Sequence, residues 1–111
     1  MAVIALSKVK PLVNTETVTW AAVTGSDTGA PYEYAKFSDK TIQCSGTFGD
    51  TLTIQGSNDG TNWDTLTDNL GAALTFTAAG MRLIAQNPRY IRPSAGSSIS
   101  SVTVTIQSSK S

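Results

Sequence analysis

Between Thr51 and Leu66 the chain reads TLTIQGSNDGTNWDTL, and this stretch limits the possible folds more than any other. Leu52, Ile54 and Gly56 alternate with Thr51, Thr53 and Gln55, the period of two expected of a strand with one buried face. Ser57-Asn58-Asp59-Gly60 then breaks the run with residues that tolerate positive φ or close local turns through their side chains. Trp63 and Leu66 resume apolar burial beyond it. The pattern predicts a β-hairpin.

The same rhythm recurs along the chain. Ile4, Leu6 and Val9 predict an extended N-terminal arm over residues 1–15, interrupted by Pro11, which has no backbone donor. A β-sandwich domain is expected over 16–111. Val18, Trp20 and Ala22 fall on one side of a strand over 17–22, and Gly25–Pro31 has the composition of a loop. Tyr32, Tyr34 and Phe37 follow in a segment without clear period. Strands are expected over 40–45, 51–56, 63–67, 73–77 and 89–93. A last one is expected through Val102, Val104 and Ile106. Ala78–Ala85 is the one segment that suggests a helical turn. Seven or eight short strands, with turn signals about every ten residues, predict an all-β fold: a single antiparallel β-sandwich, jelly-roll or immunoglobulin-like. Its expected core is Val18, Trp20, Ile42, Cys44, Leu52, Ile54, Trp63, Leu74, Phe76, Val102, Val104 and Ile106.

Composition narrows the chemistry. The 111 residues fit one domain. Eight basic and eight acidic residues cancel, and charged residues make up only 14% of the chain. Nucleic-acid binding rests on clustered cations, so this balance argues against it. With no histidine and one cysteine, zinc sites built from Cys and His, a Ser-His-Asp triad and an intramolecular disulfide are excluded. Cys44 shares an alternating face with Ile42 and reads as a small buried hydrophobe. No apolar run approaches the roughly 20 residues that span a bilayer. The apolar start lacks a preceding basic residue, so the chain is expected to be made and kept in the cytosol.

Few residues invite a chemical role. Asp59, Asn62 and Asp64 could offer alternating oxygen ligands to calcium, but the spaced acids and terminal Glu of an EF-hand are missing, and Asx-turn stabilisation accounts for them without a metal. Trp20, Tyr32, Tyr34, Trp63 and Tyr90 could stack on sugars or simply fill a core. Lys36, Arg89 and Arg92 could meet acids on a partner. The carboxylates show no pairing suited to acid–base catalysis, and no enzyme, cofactor or metal is expected.

Two resemblances arise from these residues. Gly56–Trp63 (GSNDGTNW) resembles a hairpin of discoidin-type carbohydrate- and lipid-binding domains, which usually carry a closing disulfide that Cys44 alone cannot form. The broader likeness covers about two-thirds of the chain. Thr41–Trp63 is followed by LTFTAAGM at 74–81, NPRYIRP at 87–93 and VTVTI at 102–106. In that order these segments resemble small virion proteins encoded beside the major capsid protein in tailed bacteriophages and prophages. The resemblance implies a head decoration, or cement, protein: a non-enzymatic structural protein, made in the host bacterial cytoplasm and carried on the capsid exterior. Its implied partners are the major capsid protein and sister copies, as a homotrimer, with neither nucleic acid nor membrane bound. Partner contacts are expected from Val3, Ile4 and Leu6 in the arm, and from Tyr32, Tyr34, Phe37, Arg89 and Arg92. The alternatives are another virion part, in neck, tail or fibre, and a carbohydrate-binding module.

Overall fold

The computed structural model describes residues 3–9, 15–33 and 39–109. Its regular elements are all strands: β1 (Val3–Ile4), β2 (Leu6–Val9), β3 (Thr15–Val23), β4 (Thr28–Gly29), β5 (Tyr32–Glu33) and β6 (Asp39–Thr47), then β7 (Leu52–Ser57), β8 (Asp64–Thr65), β9 (Thr75–Phe76), β10 (Gly80–Leu83), β11 (Tyr90–Ala95) and β12 (Ser101–Ser109). They form two sheets. One has the order β10-β6-β12-β3-β2; the other runs β1-β4-β11-β7-β8, with β5 also on β11 and β9 also on β7. Pairing is antiparallel except between β1 and β4. The expected all-β sandwich is what the chain forms.

Alternation builds the core. Val18, Trp20 and Val23 on β3, Ile42 and Cys44 on β6, and Val102, Val104 and Ile106 on β12 are buried from one sheet. Leu52, Ile54, Phe76 and Ile91 meet them from the other, with Leu66, Leu74, Ile84 and Ile99 supplied by connections. Eleven of the twelve expected core residues are buried. Trp63 is the exception, only partly buried, on the outer side.

Three local expectations are corrected. First, Ala22 is exposed and Val23 is buried, because β3 bulges. Val102 pairs with Val23 but Val104 with Trp20, so two residues oppose Thr103 alone. Ala22 takes φ 57° to absorb the extra residue. Second, residues 80–83 form edge strand β10 on β6, not a helical turn. An available sheet edge satisfies every second backbone group, whereas a single helical turn carries the full cost of nucleation. Third, the Gly25–Pro31 loop contains β4. At Gly46, φ is 127° and a Cβ would lie 2.3 Å from the Ser101 carbonyl oxygen, so glycine alone fits where β6 meets the start of β12.

A buried polar row crosses one end of the five-stranded sheet. Register places Glu16, Ser108 and Lys40 side by side on β3, β12 and β6, and all three are buried. Tyr32, from the opposite sheet, donates its hydroxyl to Glu16 at 2.5 Å and lies 3.4 Å from the Ser108 hydroxyl. The Lys40 ammonium donates to Asn87 Oδ1. Burial pushes the Lys40 pKa down to about 8, with Asp39 opposing the shift. Burial, then the bond to Glu16, raises that of Tyr32. Polar groups withdrawn from water need such partners, and these tie the two sheets together at one end.

Candidate partner-binding face

The β7–β8 hairpin is a rigid platform. Gln55 pairs with Thr65 and Gly56 with Asp64. In the turn, the Asp59 carboxylate accepts from the Thr61 and Asn62 backbone N–H groups at 2.8 Å each, from Asn62 Nδ2 at 2.8 Å and from the Ser57 hydroxyl at 2.9 Å. These donors, led by the Asn62 and Thr61 amides, hold its pKa well below the usual carboxylate range. Asp59 is thus engaged as an Asx turn with its oxygens facing the backbone. Gly60, at φ 77°, sits against the Tyr90 ring, 3.5 Å from where its Cβ would be.

The hairpin and β11 together present aromatic and cationic groups on the outer side of the seven-stranded sheet. The Arg92 guanidinium lies 4.1 Å from the Trp63 ring centroid, and its Nε donates to Gln55 Oε1 at 3.0 Å. Trp63 and Tyr90 are 6.5 Å apart at a 49° tilt. Arg89 covers Tyr90 at 5.2 Å while its Nε meets Glu33 Oε2 at 2.7 Å. The Asn58 side-chain oxygen accepts from the Arg89 backbone N–H at 3.0 Å. Alternation explains the placement: Ile91 and Pro93 point inward, leaving Tyr90 and Arg92 outward beside the outward Gln55. Arg89 and Glu33 are each at least half-exposed, whereas Arg92 is only half-buried and has no carboxylate partner among the described residues.

Each ring carries a guanidinium over one face, worth about 0.5–2 kcal/mol according to desolvation. Trp, Tyr and Arg are the residue types that contribute most at protein–protein interfaces. Beside the rings opens a shallow cleft of about 450 Å³, with Asn58, Asn62 and Gln86 on its walls and Leu66 and Pro88 at its base.

The expected contact residues separate. Arg89 and Arg92 belong to this face. Val3 is 63% exposed on β1, whereas Ile4 and Leu6 pack partly against the core. Tyr32 is 1% exposed, its ring in the core and its hydroxyl on Glu16, so it is not presented to a partner. Tyr34 and Phe37 lie outside the described residues. The apolar character of Trp63 predicts a core position. Its place two residues before Thr65, which pairs with the outward Gln55, is the signal that puts it on the outer side.

No protein-family model matches the chain, and no curated protein matches it. Its fold recurs among solved structures. The SPBc2 prophage-derived protein YomS superposes with a TM-score of 0.66 at 12% identity, over 90% of this chain and 98% of that one. An RmlC-like cupin protein from Desulfovibrio desulfuricans gives 0.56 at 6% identity, over 96% and 82%. At these identities the likeness is one of fold: a complete all-β sandwich that also occurs in a prophage-derived protein.

Proposed function

We propose that the chain is a non-enzymatic structural module of a phage-type virion, and that it decorates the head shell by binding the major capsid protein. The observation that carries the binding role is the Arg92–Trp63 stack. It is a preformed, half-buried cation on an aromatic ring, held by Gln55 and without a carboxylate partner among the described residues. Fixing these side chains before association removes part of the entropy cost of binding. The sequence order from Thr41 onward and the fold shared with YomS support the phage setting. Added interface, repeated at many shell positions, would hold neighbouring subunits together against internal DNA pressure. Val3, exposed on β1, supplies a second contact at the far edge. A position in neck, tail or fibre would use the same anchor and differ only in where the protein sits.

The test is binding of purified protein to undecorated head shells of the encoding phage or prophage. Trp63→Ala and Arg92→Ala should each weaken binding about 30-fold, the effect of losing a hot spot worth about 2 kcal/mol. Their circular dichroism should match the parent protein. Unchanged binding by both variants overturns the assignment of this face. Full-strength binding to tails, with none to shells, overturns the decoration role.

A further inference from the structure

Natural sheets blunt their open edges with charge, short length or bulges. Two edges of this sandwich follow that practice: β1 and β8 have two residues each, and β8 includes Asp64. β10 does not. It ends the five-stranded sheet with one side of its backbone unpaired by any described strand, and Met81 and Leu83 on it are 60% and 44% exposed. Leu70, in the neighbouring turn, is 86% exposed. Together with Thr41 and Asn69 they line a groove of about 410 Å³. Arg82, the cation there among the described residues, is neutralised by Asp68 at 2.6 Å and also donates to the Thr75 carbonyl at 3.0 Å.

We infer that β10 is the docking edge for a second copy of this chain, paired antiparallel across a twofold axis so that the five-stranded sheets become one continuous sheet of both copies. Three features of the edge choose this occupant. The patch centres on Met81, Leu83 and Leu70 and, among the described residues, carries no unpaired charge, so two identical patches meet without like-charge repulsion, whereas a charged partner finds no counter-charge there. A twofold contact needs only the surface that is already present. The antiparallel arrangement also continues the pairing used throughout this sheet, and it supplies hydrogen-bond partners to the open side of β10.

Geometry restricts the register further. Residues opposite one another in an antiparallel pair share a face. Met81 and Leu83 pair with Gln43 and Thr41 on the outer side of the sheet, and Arg82 faces the other way. A twofold register centred on Arg82 therefore puts Met81 of each copy opposite Leu83 of the other, apolar against apolar at both ends. This edge lies apart from the Arg92–Trp63 stack, so the inference stands independently of the shell-binding role.

Sedimentation equilibrium on the full chain tests it. The parent protein should show a reversible monomer–dimer equilibrium, and Leu83→Glu and Leu70→Lys should each weaken it at least 100-fold with unchanged melting. Both positions are exposed, so folding is not at risk. In a second arm, mild oxidation of Met81→Cys/Leu83→Cys should give a covalent dimer linking position 81 to position 83, mapped by peptide mass. Native Cys44 is buried and stays out of the reaction. A parent protein that is monomeric at millimolar concentration overturns the inference. So does a dimer that both charge variants leave intact, or a cross-linked product that forms no faster than in unfolded protein.

Discussion

Lys40 is 2% exposed, and its pH response has a definite sign. Burial lowers its folded-state pKa to about 8 from 10.5. Between those values the unfolded chain binds a proton that the folded chain has released, so stability rises with pH across that window. Tyr32 acts in the opposite sense above its ordinary value of 10, because burial and Glu16 raise its pKa. Burial raises the Cys44 pKa to about 12 from 9.0, so the thiol also acts in the opposite sense above 9, and the clean window is pH 8 to 9. Urea unfolding should show stability growing there by about 0.5 kcal/mol, a value reduced for partial solvent screening. The rise should vanish in Lys40→Met. Asp59 gives the acid counterpart: its pKa is held down in the fold, so the hairpin loses support as pH falls through the carboxylate range. Asp59→Asn should flatten the acid limb of the melting curve. Because Asp59 faces its own turn, chelators should leave the melting temperature unchanged, and a calcium-restored loss would make Asp59, Asn62 and Asp64 ligands.

Strands carry the core, and truncation inside it should be costly. Ile54→Ala and Phe76→Ala each remove a buried side chain between the sheets and should lose about 2–5 kcal/mol in denaturant titration. The alternation that identifies these residues is plain wherever one face of a strand is buried and the other wet. Val18 and Trp20, Leu52 and Ile54, and Val102 to Ile106 were legible for that reason. Legibility fails where tertiary pairing decides. Nothing in Ala21-Ala22-Val23 announces a residue at positive φ, since a bulge is chosen by the partner strand. The apolar character of Met81, Leu83 and Ile84 is ambiguous between helix and strand, and only the open edge of β6 resolves it. Trp63 misled through its size: a large ring can cover an arginine on the outer surface as readily as fill a core.

Across the whole molecule, the N-terminal residues complete both sheets, with β1 on β4 and β2 on β3. Ile4 and Leu6 pack against the common core. Deleting residues 1–9 should therefore lower the melting temperature by several degrees, since about 1 kcal/mol moves a domain of this size by roughly 4–8 °C. It should leave the Arg92–Trp63 face intact, so the deleted protein should keep that part of its shell affinity when tested below its melting temperature. Arg92 was legible as a candidate from its type alone. Its pairing with Trp63 was not, because those two residues meet only when β11 pairs with β7 and the hairpin folds back beside it.

The position of β12 bears on how the chain is made. It lies between β3 and β6, the middle of its sheet, yet of the twelve described strands it is synthesised last. Until residues 101–109 emerge, β3 and β6 have no neighbour to join them, and the apolar faces of Trp20, Ile42 and Cys44 have no continuous layer around them. Productive folding must wait for synthesis of the whole strand, so nascent chains stalled before Val102 should be degraded by added protease where chains released after Ser109 resist it.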